Sequence, residues 1–244
     1  MKCSILINDQ NYFLPYVEWL IKNPKKLKFS ITGVHAKDPI KLKEDIESIK
    51  KVDLYSSANE AISNSDLTVS LGYWKVLKKD QIAKSKKGII NFHHSYALKY
   101  KGRHCATWAI RNEEEVHGST MHFIDENLDS GNIIDTDFFK IKETDTAEKI
   151  FLKANKIGLF LLKKNFEKII NNEAIKYKNH SKDFFCYKKS ELNHEIDTLC
   201  LSDEKELLKQ IRALTFKESP SPFIKIKGHK IFLKMSNYDS GVLQ

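Results

Sequence analysis

The chain has 244 residues, a formal net charge of +9 and a hydrophobic fraction of 41%. That length predicts one α/β domain with at most a small appendage, and the composition excludes the collagen-like, disordered and disulfide-scaffold classes. Apolar runs of about 18 residues are absent and the N-terminal apolar stretch is too short for a signal peptide, so we expect a cytoplasmic protein without a membrane segment.

The N-terminal half alternates short apolar runs with segments of helical spacing. The runs are typical of buried parallel strands, and the segments between them predict helices. Strands are predicted at Lys2–Asn8, Phe29–His35, Asp66–Leu71 and Gly88–Phe92, and helices at Tyr12–Lys22, near Lys41–Lys51 and near Lys78–Lys84. This order predicts βαβ units in an α/β fold with a doubly wound, mostly parallel, Rossmann-like sheet.

The pattern changes at Val116. Two alternating runs between Val116 and Phe139 predict strands on either side of the polar segment 125–131. A long helix follows, and Asp145 with Glu148 predicts a capping box at its start.

The C-terminal part is predicted to add one more helix and a hairpin. The helix covers Ser202–Leu214, and the hairpin strands Phe223–Lys227 and Lys230–Lys234 are separated by Gly228-His229. We therefore predict a catalytic domain over residues 1–200 and a helix-and-hairpin appendage over 201–244. A hairpin edge can pair with a second copy, so a homodimer is left open.

The charge pattern argues against sequence-specific nucleic-acid binding, and the cysteine spacing argues against a zinc or redox site. Lys contributes 38 of the basic residues and Arg only three, whereas forked contacts with phosphates and bases are typically made by Arg. Residues 91–139 hold four Lys or Arg and eight Asp or Glu, so the excess positive charge lies elsewhere. The four Cys form no C-x-x-C pair, so we predict reduced thiols and no zinc or redox motif.

The densest group of reactive side chains is Asn91-Phe92-His93-His94-Ser95, at the end of a predicted strand. Ligands of doubly wound sheets bind beyond the carboxyl ends of strands, and alternation places Asn91 and His93 on one side. An amide that donates to an oxyanion, beside an imidazole with a pKa near neutrality that moves a proton, suits acyl-type transfer. A carboxylate is needed to orient the imidazole, and Asp129 is the candidate.

Other interpretations of these residues are less well supported. His93-His94 lacks the spacing of a metal site, so no metal is predicted. The segment that begins at Asp125 fails as an EF-hand because Ser130 and Thr136 stand where Gly and Glu are required. Ser95 lacks a nucleophile elbow and the nine Gly form no dinucleotide loop. A purely structural role for Asn91 and His93 is left open by the residues alone.

Several blocks, in order, resemble the folate-dependent formyltransferases. Residues 91–103 resemble the signature N-x-H-x-S-L-L-P-x-Y-R-G, and they are followed by W-A-I at 108–110, G-S-T-M-H at 118–122 and the D-S-G loop at 129–131. Looser similarity covers Gly72–Leu77 and residues 211–224. The turn at 97–99 lacks the family's Pro, and Lys stands at position 101 in place of the Arg of Y-R-G.

The resemblance implies a formyltransferase fold, a catalytic triad and a folate co-substrate, N10-formyltetrahydrofolate. The triad would be Asn91, His93 and Asp129. The residues expected to bind folate are Gly72, Tyr73, Val76, Leu77, Asp125, Asn127 and Leu128. The residues expected to bind the acceptor are Ser95 at the amino sugar, Lys75, Arg103 and Arg212 at a diphosphate, and Trp74 or Tyr187 stacked on a base.

The acceptor is predicted from the finer form of the signature. H-x-S-Y-x-L followed by K-G-R-H resembles the nucleotide-sugar N-formyltransferase branch more than the methionyl-tRNA branch. About 22 residues follow Pro222, enough for a hairpin and too few for a five-stranded nucleic-acid-binding barrel. The expected partners are therefore folate and a nucleotide sugar, with no nucleic acid.

The specific expectation is formyl transfer to a dTDP-linked amino sugar, dTDP-4-amino-4,6-dideoxyglucose, for O-antigen or another surface polysaccharide. Three alternatives are left open. Two are other acceptors, methionyl-tRNA and glycinamide ribonucleotide. The third is an inert folate or nucleotide-sugar sensor on the same fold, against which the intact Asn91, His93 and Asp129 argue.

Overall fold

A six-stranded mixed sheet organises the chain in the computed structural model. The structure describes residues 1–8, 10–45, 52–73, 75–179, 185–187, 192–217 and 219–235. Within these ranges the strands are β1 (Lys2–Ile7), β2 (Ser30–Ala36), β3 (Leu67–Leu71), β4 (Ile89–His93), β5 (Tyr100–Gly102), β6 (Val116–Phe123), β7 (Ile133–Lys140), β8 (Phe185–Tyr187), β9 (Phe223–Ile226) and β10 (His229–Phe232). The α-helices are α1 (Gln10–Lys22), α2 (Pro24–Leu27), α3 (Pro39–Asp45), α4 (Ala58–Ser63), α5 (Lys79–Ile82), α6 (Cys105–Arg111), α7 (Ala147–Ile170) and α8 (Glu204–Leu214).

The strand order in the main sheet is β2-β1-β3-β4-β6-β7. Strands β1 to β4 pair in parallel, whereas β4 with β6 and β6 with β7 pair antiparallel. The short strands β5 and β8 pair in parallel beside this sheet. The predicted doubly wound, mostly parallel sheet with a C-terminal hairpin is confirmed.

Alternation along β1 explains why helices cover both faces of the sheet. Ile5 and Ile7 join the core cluster under α1 and α7, which includes Tyr16 and Phe166, both fully buried. Leu6 faces the opposite layer, where it packs with α4. Successive side chains of a strand point to opposite faces, so an uninterrupted apolar strand requires apolar partners on both sides.

Helix α4 and the starts of α7 and α8 differ from the sequence prediction. The six-residue helix α4 was not predicted; its cap Ser57 accepts a hydrogen bond from the Glu60 N–H. Helix α7 is capped by Thr146 rather than Asp145, because the Asp145 carboxylate accepts hydrogen bonds from the Lys142 N–H and the Lys153 ammonium instead. Helix α8 starts later than predicted.

The predicted appendage contributes to the core through α8. Its cap is Asp203, whose carboxylate accepts the Glu206 N–H at 2.8 Å, so the helix begins after Ser202. Ala213 packs with Ala106 and Ile150 in one apolar cluster that joins α8 to α6 and α7. The division at residue 200 remains a prediction.

The hairpin turn lies one residue earlier than predicted. Lys227 and Gly228 both have positive φ, 47° and 83°, as a two-residue type I′ turn requires, so His229 begins β10. Strand β10 is exposed along its length.

Candidate active site

The candidate site lies where β4 ends, at the boundary between the parallel and antiparallel parts of the sheet. Asn91 and His93 project from one face of β4, opposite His122 and Thr120 of β6. Directly opposed residues of an antiparallel pair share a face, with Cβ atoms about 4.5–5.5 Å apart. The pairing of the two strands, without any contribution from loops, therefore brings an amide and two imidazoles together.

His93 is buried between two acceptors and a thiol. Its Nε2 donates to the Tyr100 carbonyl oxygen at 2.6 Å, and its Nδ1 lies 3.5 Å from Asp129 Oδ2. The Cys105 thiol is 3.5 Å from the same Nε2. With an acceptor on each side, the ring is stabilised in its doubly protonated form.

The protonation of His93 differs from the near-neutral imidazole expected from sequence. Burial by itself lowers its pKa, but the Asp129 carboxylate, helped by Cys105 and the Tyr100 carbonyl, outweighs burial and raises the pKa to about 10. At neutral pH, His93 is therefore a buried imidazolium paired with Asp129.

The loop between β6 and β7 fixes the position of Asp129. Its backbone has a φ of 46°, and its Oδ2 accepts the Gly102 N–H at 2.9 Å, which ties the loop to β5. Asp125 accepts hydrogen bonds from Ser130 Oγ and the Asn127 N–H. These bonds hold the loop from both sides of Asp129, so its carboxylate stays against His93.

Asn91 lies beside this pair and faces His122. Asn91 Nδ2 is 3.2 Å from His122 Nε2, which in turn lies 3.8 Å from Asp129 Oδ1. Asn91, His93 and Asp129, named from distant parts of the sequence, are thus brought into one cluster. The cluster offers an amide donor and a carboxylate-stabilised cation side by side.

The cluster opens into a cavity of about 800 Å³. All seven residues predicted to bind folate line it together with the triad: Gly72, Tyr73, Val76, Leu77, Asp125, Asn127 and Leu128. Val76 and Leu128 are 71% and 45% exposed, so two apolar side chains of different loops stand open at the cavity. Exposed apolar groups grouped in a cavity are typical of ligand sites.

The residues predicted to bind the acceptor are more dispersed. Lys75 and Arg103 line the cavity. Ser95 is fully buried, and its hydroxyl accepts the Tyr100 N–H at 2.8 Å, so it fixes the loop and does not line the wall. Arg212 donates to the carbonyls of Lys142 and Asp145 and is not part of the wall.

The side chains of the two aromatic candidates, Trp74 and Tyr187, lie outside the described part of the structure. Trp74 lies outside the described residues. For Tyr187 only the backbone is described, and it pairs in β8 with Gly102 of β5. Their proposed stacking on a base remains a prediction.

Sequence reasoning missed several residues of the site. The sequence pattern assigns no role to His122; its register opposite Asn91 would have identified it, but register is not visible in the sequence. It assigns no role to Cys105 either. The sequence pattern also gave no sign of a set of apolar and aromatic residues that line the same cavity: Phe13, His94, Ala147, Phe151, Leu192, Ala213, Leu214 and Phe216. Part of it comes from α8, which lies about 80 residues or more from the signature in sequence.

Two properties of the described ranges bear on the class of function. None of the helices there is long and apolar enough to cross a membrane. In the same ranges no three His, Cys, Asp or Glu side chains are grouped so that they hold a metal ion.

Comparison with known proteins relates the chain to formyltransferases. The formyl transferase family model matches residues 20–162, more than half of the chain. A methionyl-tRNA formyltransferase of Clostridium tetani is 27% identical over 213 residues, which is 84% of this chain and 65% of that protein. The chain thus spans less than two thirds of this relative's length.

Solved structures match along nearly the whole chain. A sugar N-formyltransferase from Shewanella has a TM-score of 0.81 at 15% identity, covering 96% of this chain and 97% of that one, and so shares the fold. An N-formyltransferase from Helicobacter canadensis, solved with folinic acid and dTDP-3-aminofucose, has a TM-score of 0.76 at 26% identity and covers 95% and 86% of the two chains. With the matched family model and the common fold, these observations show that the chain belongs to the formyl transferase family.

Proposed function

We propose that this protein transfers the formyl group of N10-formyltetrahydrofolate to the amine of a dTDP-linked amino sugar. The observation that carries the proposal is the meeting of Asn91, His93 and Asp129 in the one cavity that all seven predicted folate residues also line. An amide donor, an imidazolium and a carboxylate are the groups that formyl transfer requires.

Two groups of cavity-lining residues are assigned to the two substrates. The loops with Val76 and Leu128 offer open apolar groups and backbone to the flat pterin of the folate. Phe151 and Phe216 line the same cavity and are assigned to the acceptor, and Arg103, also in the lining, is a cation for the diphosphate. The Helicobacter canadensis relative was solved with folinic acid and a dTDP-amino sugar, which supports a site that takes both substrates.

In the proposed mechanism, the sugar amine attacks the formyl carbon directly, without a covalent enzyme intermediate. Asn91 Nδ2 donates to the oxygen as it becomes an oxyanion, and removal of such a donor lowers the rate by about 10²- to 10³-fold. The carbon–N10 bond then breaks, and tetrahydrofolate leaves as the product.

His93 takes part in both proton transfers of the proposed reaction. Because its raised pKa makes it cationic at rest, His93 gives the Nε2 proton, released from its hydrogen bond to the Tyr100 carbonyl, to the departing N10 and then takes up at Nε2 the proton that the amine loses. Asp129 stabilises the charged ring at both ends of this cycle. One proton leaves the amine and one reaches N10, so the enzyme returns unchanged.

A second acceptor, methionyl-tRNA, is favoured by the 27% identity to the Clostridium tetani enzyme. The cavity lining argues for the smaller acceptor, because aromatic side chains of α7 and of the segment after α8, Phe151 and Phe216, line the cavity together with the triad. A loaded tRNA would need phosphate contacts over a wide surface.

A panel of acceptors tests the proposal. The protein is mixed with N10-formyltetrahydrofolate and, separately, dTDP-4-amino-4,6-dideoxyglucose, a dTDP-3-amino sugar, glycinamide ribonucleotide and methionyl-tRNA, and tetrahydrofolate release is followed by absorbance. We expect turnover with a dTDP-amino sugar, the 4-amino sugar first. Turnover with methionyl-tRNA alone would overturn the sugar assignment. Tight folate binding without any turnover would favour a sensor.

The control for this panel is His93→Asn. It removes the proton carrier and keeps a side chain that forms hydrogen bonds. We expect the turnover seen with the preferred acceptor to disappear in this variant. Turnover close to that of the unmodified protein would remove His93 from the mechanism.

A further inference from the structure

His122 lies against the proposed triad but takes no part in the proposed proton cycle. It is 1% exposed and sits on β6 directly opposite Asn91 of β4. Both residues also line the cavity. A buried imidazole in direct contact with a proposed oxyanion donor needs an account of its own.

The hydrogen bonds of His122 determine which ring nitrogen carries the proton. Nδ1 lies 2.9 Å from the carbonyl oxygen of Phe123. A carbonyl oxygen only accepts, so Nδ1 is protonated. In the neutral ring Nε2 then has a lone pair and no hydrogen, which makes it an acceptor for Asn91 Nδ2 at 3.2 Å.

The groups around His122 keep the ring neutral. Burial lowers its pKa and the His93 cation adds to this, whereas Asp129, the Phe123 carbonyl and Asp125 oppose it; the net effect is a lowered pKa. His122 Nε2 is 3.8 Å from Asp129 Oδ1, too far for a hydrogen bond that would compete with Asn91.

A neutral, Nδ1-protonated His122 selects one orientation of the Asn91 amide. A carboxamide can turn over with little change of shape, exchanging its nitrogen and oxygen. In the reversed orientation Oδ1 would face the lone pair of Nε2, and two acceptors would repel each other. With the observed orientation, one N–H of Asn91 is held by His122 and the second N–H of the same nitrogen is left for a ligand in the cavity.

We propose that His122 is a positioning residue, whose Nε2 lone pair holds the Asn91 amide with its nitrogen toward the reacting formyl oxygen. The inference rests on the proposed function for its effect on rate. Its structural core, the tautomer and the amide orientation, can be tested without turnover.

The first experiment measures the tautomer in the unmodified protein. Long-range ¹⁵N–¹H correlation spectra of histidine-labelled protein at neutral pH, with His122 assigned from the His122→Gln variant, are expected to show Nδ1 protonated and Nε2 unprotonated. A ring protonated at Nε2, alone or together with Nδ1, would overturn the proposal. This result stands whether or not an acceptor has been found.

The second experiment is a double-mutant cycle on kcat. We expect His122→Leu to lower kcat by about 10- to 100-fold with little change in the KM of folate, because a misplaced donor loses most of its effect. His122→Gln should retain more activity, since its amide oxygen can still accept from Asn91. In an Asn91→Ala background, His122→Leu should cause no further loss, because residues that act through one contact are not additive.

The outcomes separate the two proposals. An equal loss from His122→Leu with and without Asn91 would show that His122 does not act through that amide, which overturns the positioning role. Absence of turnover with every acceptor would count against the proposed function, and the tautomer would then decide the inference by itself. Should His122→Leu fail to fold, His122→Gln and the spectra of the unmodified protein carry the test.

Discussion

Two neighbouring histidines at the end of β4 have opposite protonation. His93 and His94 are 8% and 9% exposed, so burial is nearly equal. Yet the pKa of His93 is raised to about 10, and that of His94 is lowered to about 3. One step along the chain separates a buried cation from a buried neutral ring.

The difference comes from what each face of the strand end contacts. His93 faces Asp129 on the cavity side. His94 stacks on Phe13 and meets Phe151 edge-on, with centroids 5.8 and 4.8 Å away, and its Nδ1 is 3.2 Å from Ser119 Oγ. Burial lowers the pKa of His94, and the nearby His93 and His117 rings lower it further. A partner carboxylate, and not the degree of burial, decides which histidine can carry charge.

Removing the carboxylate should abolish the contrast and produce the largest effect. In Asp129→Asn, burial becomes the dominant influence on His93, so its pKa should fall and the ring should become neutral like His94. We expect kcat/KM to drop by about 10²- to 10⁴-fold, the range associated with acid–base groups. Turnover assays and histidine NMR titrations measure the two effects.

The matched control is Asp137→Asn on β7, which removes a carboxylate that does not line the cavity. Activity and the His93 titration should be unchanged there. If the pKa of His93 is the same in Asp129→Asn as in the unmodified protein, the carboxylate is not the cause of the difference between His93 and His94.

The loop that carries Asp129 should be nearly as sensitive as the residue itself. A Cβ at Gly131 would overlap the Phe123 carbonyl oxygen, so Gly131→Ala must displace the loop. Displacement by about 1 Å can lower the rate 10²-fold. We expect a loss approaching that size, with a lower pKa for His93.

Gly228→Ala in the hairpin is the control for glycine replacement. Its φ is +83° and nothing lies within 4 Å of the added Cβ, so only backbone strain of about 1–2 kcal/mol is expected. Turnover should be unaffected although the melting temperature falls. Equal losses of activity in both variants would show that the Gly131 effect is a general loss of stability.

The raised pKa of His93 and the lowered pKa values of His94 and His117 also predict how the free energy of unfolding depends on pH. His93, with its pKa raised from 6.5 to about 10, stabilises the fold fully below pH 6.5 and loses this contribution as the pH rises through about 10. His94 and His117, lowered to about 3 and about 4, contribute stability above pH 6.5 that is lost as the pH falls through those values. These histidines therefore favour maximal stability near pH 6.5.

Denaturant unfolding across pH tests this with two variants. His94→Phe should flatten the acid side, because one proton fewer is taken up on unfolding, about 1.4 kcal/mol per pH unit. Asp129→Asn should flatten the alkaline side. An acid side with the same slope in His94→Phe would show that His94 is not held neutral by the fold.

The smallest effect is expected at Cys105. Its thiol raises the pKa of His93 as a minor partner beside Asp129, so Cys105→Ala should move the alkaline limb of the pH–rate profile to lower pH. Turnover should stay within about tenfold, the equivalent of one pKa unit. Cys3→Ala, in the buried core, should reduce stability and leave the pH–rate profile in place; a shift of the profile in that variant would contradict the assignment.

Local pattern was sufficient to predict the strands of the sheet and to single out Asn91, His93 and Asp129, which the fold brings together. The apolar runs of β1, β3 and β4 match their strands to within one or two residues, because a strand buried on both faces must be apolar throughout. Asn91, His93 and Asp129 were found from residue types and from resemblance. Loop residues that line the cavity, such as Gly72 and Leu77, were found in the same way.

Only the tertiary structure decided what these residues do to one another. The register of β4 on β6 set His122 against Asn91, and the packing of α7 and α8 brought Ala147 and Ala213 to the cavity. The competition between Asp145 and Thr146 for the start of α7 was also settled by contacts with Lys153. His93 and His94 are the same residue type side by side, and the sequence determines that both are there. Their charges were decided by the fold, because a pKa depends on which groups lie within a few ångströms in space.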